Sequence, residues 1–156
     1  KLLQSVEKVN AEQKKVLGKK VVSIFGDDLS GKTFAVWGLA FKPGTDDMRE
    51  APAIFLIKEL AQRGAAIKAY DPKAMDTARK FYLKDIDKIV YTNDKYDTLN
   101  DADALILVTE WKEFQSPDFL EIKNRLKGKY VIDGRNQYKL KTLEKFGLSY
   151  VQIGVK

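Results

Sequence analysis

The sequence predicts an α/β fold with a doubly wound, parallel six-stranded sheet, preceded by an amino-terminal helix. Short apolar segments rich in β-branched residues alternate along the chain with amphipathic segments of helical period, which is the pattern of a parallel sheet. Polar turns containing Gly, Pro or Asp separate these segments. At 156 residues and 44% hydrophobic, the chain is long enough for one domain with a full core.

The first 24 residues predict the amino-terminal helix. Apolar residues recur there at helical spacing, and Gly18 interrupts a run of good helix formers. The apolar stripe consists of Leu2, Leu3, Val6, Val9, Val16, Leu17, Val21 and Ile24. Two interpretations stay open: a surface helix packed on the domain, or the end of a longer helix whose stripe meets a partner. Lys1 is not an initiating residue, and we expect the chain to be part of a longer protein.

The remaining elements follow a linker that ends near Gly31. Strands are predicted over 33–39, 66–70, 89–92, 104–109, 130–132 and 150–153. Helices are predicted over 53–63, 74–82, 119–126 and 139–146, with a helical turn at 96–99. The segment ALILVT at 104–109 is the most apolar strand, so we expect it to lie centrally in the sheet.

Composition excludes several classes of site. The chain has no cysteine and no histidine, so Ser-His and Cys-His triads are excluded and a zinc site is disfavoured. Of the net charge of +6, residues 1–24 carry +4, and acidic and basic residues alternate over the rest, which argues against nucleic-acid binding. No apolar run approaches the length of a membrane span, and we expect a cytoplasmic protein.

Candidate binding residues follow the predicted strands. In this fold class ligands lie outside the carboxyl ends of the strands. Lys42 and Arg49 follow the first strand, Trp111 the fourth and Arg135 the fifth, so the three cations are candidates for one crevice. An Arg suits a phosphate or a carboxylate, and a Trp offers a flat face to a base.

Each candidate also has an interpretation in which it contacts no ligand. Lys42 and Arg49 have acidic neighbours at positions 46, 47 and 50 with which to pair, and Arg135 has Asp133. The other interpretation of Trp111 is an aromatic side chain packed under the loop at 116–117.

Asp71 follows the second strand, where dinucleotide-binding folds place the acid that contacts ribose. The loop after the first strand reads GLAFKPG and lacks the GxGxxG pattern that lets a backbone approach a pyrophosphate. The sequence therefore disfavours primary NAD binding by this domain and favours Asp71 as a turn former before Pro72.

Four segments, taken in order, carry a resemblance: VWGLAFKPGTDDMREAP, AYDP, DADALILVTEW and VIDGRN. Together they resemble the carboxy-terminal, UDP-binding domain of UDP-glucose 6-dehydrogenases, within the UDP-glucose/GDP-mannose dehydrogenase family. The resemblance covers the whole chain, with 1–29 similar to the end of a central dimerisation helix and its linker, and 30–156 to a Rossmann-like UDP-binding domain. Relatives that oxidise UDP-N-acetylmannosamine or GDP-mannose share the GLAFKP core, so they remain alternatives, as does a stand-alone nucleotide-binding or regulatory module.

The resemblance implies an NAD-dependent enzyme that converts UDP-glucose, with two NAD and water, into UDP-glucuronate and two NADH, for use in polysaccharide biosynthesis. NAD would be bound mainly by an amino-terminal domain that also carries the catalytic cysteine. The fragment would therefore bind the sugar nucleotide without turnover, and the central helix would form a homodimer in the full-length enzyme.

The resemblance also assigns residues. Phe41 and Lys42 match the Phe-Lys of the substrate-binding loop, and Arg135 matches the Arg that contacts the sugar nucleotide. Arg49 matches the Arg that reaches the pyrophosphate of NAD. The uracil contacts, and a part for Trp111 among them, stay open.

Overall fold

The computed structural model describes the backbone of residues 2–154 and the side chains of residues 14–154. Six parallel strands form one sheet. They are β1 (Thr33–Trp37), β2 (Ala66–Tyr70), β3 (Ile89–Tyr91), β4 (Ala104–Leu107), β5 (Tyr130–Asp133) and β6 (Ser149–Gln152). Their order is β3-β2-β1-β4-β5-β6, the doubly wound arrangement that the sequence predicts.

The first helix precedes the sheet, and the other helices lie between successive strands. They are α1 (Leu2–Phe25), α2 (Pro52–Gln62), α3 (Met75–Thr77), α4 (Phe119–Arg125) and α5 (Leu140–Lys145). Short 3-10 turns occupy Lys95–Leu99 and Lys112–Phe114. Among the described helices, none combines the length and the hydrophobicity needed to cross a membrane.

The predicted strands are confirmed with small shifts at their ends. β4 pairs with β1 on one side and β5 on the other, and all four of its residues are buried, which confirms its central place. β1 and β4 each end two residues earlier than expected, at Trp37 and Leu107. The reason at β1 is Gly38, whose φ of +101° lies outside strand geometry and turns the chain toward the next loop.

The helix predicted over 74–82 differs from the structure. It is α-helical only over Met75–Thr77 and continues as a π-helical turn over Ala78–Tyr82. An i to i+5 hydrogen bond of 2.8 Å from Leu83 N to Ala78 O closes this turn, and both side chains are buried. The wider turn brings both side chains into the core together.

The carboxy-terminal half of α1 packs on the domain. Leu17 and Val21 are buried, and the ring of Phe25 meets Phe34 and Tyr130 edge to face, at centroid distances of 5.3 and 5.6 Å. The surface-helix interpretation is therefore right for this half. The stripe residues Leu2, Leu3, Val6 and Val9 lie outside the described side chains.

A buried aromatic pair lies under the carboxyl end of β1. The indole of Trp37 stacks on Phe114 at 5.1 Å, and its N–H donates to Lys95 O at 3.0 Å and Thr98 Oγ1 at 2.9 Å. Since Trp37 is the last residue of β1, these contacts fix the point where the chain leaves the sheet.

Candidate functional site

The candidate site is the edge of the sheet formed by the carboxyl ends of the strands. Because all pairings are parallel, the loops after β1, β2, β4 and β5 emerge at this one edge. The strand order reverses between β1 and β4, and ligands of doubly wound folds bind at such a switch point. The loops after β1 and β4 flank the crevice.

A close approach between these two loops depends on Gly38. A Cβ added there would lie 2.5 Å from the backbone N of Thr109 and also 2.5 Å from its Cβ. The Thr109 hydroxyl then donates to Ala40 O at 2.6 Å. The loop after β1 therefore lies directly against the start of the loop after β4, with no space for a side chain between them.

Phe41 and Lys42 are two adjacent exposed residues in the loop after β1. The Phe41 ring is 42% exposed, and Lys42 Nζ lies 5.3 Å from its centroid. The backbone N–H of Phe41 donates to Asp47 O at 3.0 Å, which closes the loop. Over residues 14–154 Lys42 forms no ion pair within 4.0 Å, so the alternative interpretation, a surface pair of Lys42 with an acidic neighbour, is not found there.

Arg49 does form the surface pair. Its Nη2 contacts Asp47 Oδ2 at 2.7 Å, and its Nε lies 3.1 Å from each oxygen of the same carboxylate. This hydrogen bonding lowers the pKa of Asp47 and raises that of Arg49. The Arg49 side chain remains 81% exposed, so Asp47 orients the guanidinium without covering it.

Asp71 is fully buried and accepts five hydrogen bonds. Oδ1 accepts from the backbone of Lys73 and Ala74, each at 2.8 Å, as expected of a turn former. Oδ2 accepts from the backbone of Leu39 at 2.7 Å and Ala40 at 3.0 Å, and from the Trp111 indole at 3.1 Å. The sequence did not predict this second set of partners.

Trp111 is only 9% exposed, and its N–H points at Asp71. An indole in this position has little ring face left for a base. Of the two interpretations of Trp111, the structure favours a side chain packed in the domain over one that offers its face to a base, and its hydrogen-bond partner is Asp71.

Arg135 lies in the loop after β5, and its acidic partner is Glu110, not the Asp133 that the alternative interpretation named. Both Nε and Nη2 contact Glu110 Oε2, and Glu110 follows β4. Asp133 accepts from the backbone N–H of Arg135 at 2.9 Å and not from its guanidinium. The Arg135 side chain is 48% exposed, so it lies at the surface of the crevice beside the β4 loop.

Asp133 is the second fully buried carboxylate of this edge. Its Oδ2 accepts from the backbone of Gln137 at 2.7 Å and Tyr138 at 3.0 Å, and from the Tyr150 hydroxyl at 2.7 Å. Burial is the main cause that raises the pKa of Tyr138 and of Tyr150, and the bond to Asp133 adds to the effect at Tyr150. Asp133 thus fixes the loop that presents Arg135.

Sequence reasoning identified Asp71 as a turn former but missed the long-range contacts that support the loops. Asp71 and Asp133 each occur at a strand end before Pro or Gly, which signals a turn but not the identity of distant partners. Glu110 and Thr109 carry no local signal, because their partners lie at least 25 residues away along the chain.

The residues of this edge do not fit a primary site for NAD. The loop after β1 lacks GxGxxG, and five N–H groups already occupy Asp71, so its oxygens are not available to a ribose hydroxyl. The exposed guanidinium of Arg49 is suited to a single contact with a pyrophosphate. Within the described part of the chain, no group of three or more acidic side chains is placed to bind a metal.

Comparisons with known proteins identify dehydrogenases to which this chain is similar. A UDP-glucose 6-dehydrogenase of Rhizobium meliloti is 39% identical over 154 residues, covering 99% of this chain and 34% of that protein. The chain thus spans about a third of the length of the curated relatives it matches. Among solved structures, a UDP-glucose dehydrogenase of Pyrobaculum islandicum matches 97% of this chain and 31% of its own, with 29% identity and a TM-score of 0.73. A UDP-D-ManNAc dehydrogenase of Pyrococcus horikoshii matches 95% of this chain and 31% of its own, with 26% identity and a TM-score of 0.67.

The family comparison covers the candidate site itself. The UDP binding domain of the UDP-glucose/GDP-mannose dehydrogenase family matches residues 35–140. This segment contains the loops after β1, β2, β4 and β5 and all four predicted site residues. The chain therefore belongs to the UDP-glucose/GDP-mannose dehydrogenase family and carries its UDP-binding domain.

Proposed function

We propose that this domain binds the UDP portion of a sugar nucleotide in an NAD-dependent UDP-glucose 6-dehydrogenase. The full-length enzyme would convert UDP-glucose, two NAD and water into UDP-glucuronate and two NADH. The observation that carries the proposal is the family match over residues 35–140, which includes Phe41, Lys42, Arg49 and Arg135. These residues lie on loops at one edge of the sheet.

The charges of the crevice suit a nucleoside diphosphate. Lys42 is exposed and forms no ion pair within 4.0 Å over residues 14–154, so its ammonium group can contact an anionic ligand. Its charge helps to lower the pKa of Asp47, so that carboxylate acts on Lys42 only at longer range. Arg135 presents a planar donor set that matches phosphate oxygens, once Glu110 yields or shares it. We assign Phe41 and Lys42 to the sugar end of the ligand and Arg135 to the sugar nucleotide as well.

Arg49 is assigned to NAD. Its guanidinium is exposed and already oriented by Asp47, so it can reach a pyrophosphate that another domain binds. Since this edge does not fit a primary NAD site, we propose that NAD is bound mainly by an amino-terminal domain. This chain would then supply one contact to NAD, from Arg49 to the pyrophosphate.

We propose that the chain alone has no dehydrogenase activity. The resemblance assigns the nucleophile to a cysteine, and this sequence contains none. The check is the absorbance of NADH in a mixture of pure protein, UDP-glucose and NAD, where no increase is expected. Turnover in that mixture would contradict the assignment of the chemistry to another domain.

A second candidate keeps the domain and changes the sugar. The likeness to the UDP-D-ManNAc dehydrogenase of Pyrococcus horikoshii favours UDP-N-acetylmannosamine as the alternative substrate. Thermal shift assays with UDP, UDP-glucose, UDP-N-acetylmannosamine and GDP-mannose separate the two. We expect UDP to stabilise the chain, and UDP-glucose to raise its melting temperature more than UDP-N-acetylmannosamine or GDP-mannose does. The reverse preference between the UDP sugars would favour the alternative.

The remaining partners are proposed on the same basis. We propose a cytoplasmic enzyme that forms a homodimer through the helix of which α1 is the end, and that binds no nucleic acid. Sizing the chain with and without residues 1–24 tests the helix. A monomer in both cases would remove α1 as the dimer contact of this chain.

A further inference from the structure

We propose that Asp71 is the positioning residue that sets the geometry of the sugar-nucleotide site. Its buried carboxylate joins the loop that presents Lys42 to the segment that supports Arg135. The inference rests on the proposed function, because it concerns the same ligand. It adds a residue that would act on affinity without touching the ligand.

The five partners of Asp71 are all N–H donors. A carboxylate offers about four lone-pair sites on its two oxygens, so these donors fill its capacity. The side chain has no exposed area. Asp71 therefore binds groups of this chain itself, although it lies at the position where dinucleotide-binding folds place the acid that contacts ribose.

The first contact of Oδ2 is with the loop after β1. Leu39 N and Ala40 N both donate to this oxygen, at 2.7 and 3.0 Å. These two amides directly precede Phe41 and Lys42 in the chain. Two consecutive N–H groups on one fixed acceptor orient both peptide planes, and this orientation sets the direction in which Lys42 leaves the loop.

The second contact of Oδ2 is with the loop after β4. Trp111 Nε1 donates to it at 3.1 Å, and Trp111 follows Glu110, whose carboxylate contacts the Arg135 guanidinium. A single buried oxygen thus connects the segment that presents Lys42 to the segment whose Glu110 contacts Arg135, on the two sides of the switch point. Moving this oxygen would change the spacing between the two cations.

A purely structural interpretation predicts a different dependence. A carboxylate that only closes the turn after β2 would act through Oδ1, which accepts from Lys73 N and Ala74 N. Replacing such a carboxylate would lower the free energy of unfolding, and its effect on ligand affinity would not depend on Lys42. The positioning interpretation predicts that the effects of changing Asp71 and Lys42 on ligand affinity depend on each other.

Asp71→Asn is the informative change. Asn keeps one acceptor oxygen and places an NH₂ donor where the other oxygen was, so one set of N–H partners then faces a donor. Trp111→Phe removes the indole N–H and leaves the carboxylate intact. Asp28→Asn is the matched control, since the Asp28 carboxylate also accepts from a backbone N–H, that of Ser30 at 3.0 Å, but lies exposed in the linker.

Calorimetric titration of these variants with UDP-glucose tests the proposal. We expect the Kd to rise about tenfold or more for Asp71→Asn, by a smaller factor for Trp111→Phe, and not for Asp28→Asn. In a chain that carries Lys42→Ala, Asp71→Asn should raise the Kd by less than about threefold, because the positioned cation is already absent. An unchanged Kd for Asp71→Asn, or the same factor with and without Lys42, would overturn the proposal.

Two further measurements keep the test decisive. If Asp71→Asn loses its cooperative thermal transition, Trp111→Phe is combined with Lys42→Ala, and additive effects on the Kd overturn the proposal. If the unmodified chain binds no UDP-glucose, the proposed function fails. Amide hydrogen exchange then tests the positioning alone: Leu39 and Ala40 should exchange faster in Asp71→Asn than in Asp28→Asn, and equal rates would overturn it.

Discussion

The guanidinium of Arg135 forms an ion pair with the carboxylate of Glu110 at the carboxyl edge of the sheet. Glu110 follows β4 and Arg135 follows β5, so the pair bridges two adjacent loops of the candidate site. An anionic ligand that uses Arg135 has to displace or share this carboxylate. We therefore expect Glu110 to affect the affinity of the site.

Glu110→Gln tests this competition. Gln keeps a carbonyl that can orient the guanidinium and removes the charge that competes with a phosphate. We expect UDP to bind about two- to fivefold more tightly, since a partly exposed ion pair contributes only about 0.2–1 kcal/mol. Calorimetry at low and high salt measures the change. Glu121→Gln, which alters an ion pair with Arg125 on α4, is the control. Weaker binding by Glu110→Gln would show that its charge is needed to orient Arg135.

Arg135→Ala tests the residue assigned to the sugar nucleotide. Losing a charged hydrogen bond to a phosphate costs roughly 1.5–3 kcal/mol of binding free energy, and we expect the lower end because the side chain is half exposed. Titration with UDP-glucose measures the loss, and Arg125→Ala serves as the control at a paired arginine elsewhere. If Arg135→Ala binds UDP-glucose as tightly as the unmodified chain does, Arg135 forms only a surface ion pair and does not contact the ligand.

Gly38→Ala tests the close approach between the loops after β1 and β4. A side chain at φ +101° costs about 1–2 kcal/mol, and the added Cβ would lie 2.5 Å from Thr109 N, which adds about 1–3 kcal/mol of overpacking. Gly26→Ala is the matched control, with φ +92° and no heavy atom within 4 Å of the added Cβ. Urea unfolding should show Gly38→Ala to be the more destabilised. Equal losses would contradict the steric account.

Tyr70 gives a prediction for alkaline pH. Burial, together with its hydrogen bond to Glu113, raises the pKa of Tyr70 from 10.0 to about 12. The folded state then retains the phenolic proton that the unfolded chain loses, so this stabilisation is present below pH 10 and is lost as the pH rises to about 12. The free energy of unfolding should fall less steeply over this range in Tyr70→Phe. Part of the slope remains in this variant, because the pKa values of Tyr138 and Tyr150 are also raised in the folded state. Equal slopes in both proteins would contradict the prediction.

The fold was predictable because its signals are local. β2 matches its predicted range, and the apolar residues that recur at helical spacing along α2, Ile54, Leu56, Ile57 and Leu60, are all buried. Periodicity and turn residues depend only on neighbours along the chain. The π-helical turn at Ala78–Tyr82 was not predictable, because the burial of Ala78 and Leu83 that accompanies it depends on contacts with the rest of the domain.

The candidate site was predictable only in part. The cations could be placed at strand ends from the order of the elements, and the motifs assigned them to ligands. The partners of Arg135 and Trp111 could not be predicted, since Glu110 and Asp71 lie 25 and 40 residues away in sequence. Long-range hydrogen bonds between loops follow from the packing of the sheet and leave no periodic pattern.

Chemical-shift mapping of the backbone amides during a titration with UDP tests the central claim most directly. The account predicts saturable shifts in the loops after β1 and β5, including Phe41, Lys42 and Arg135, and no comparable shifts with NAD. Shifts confined to other parts of the chain, or no shifts with UDP, would contradict a UDP site at the carboxyl edge of the sheet.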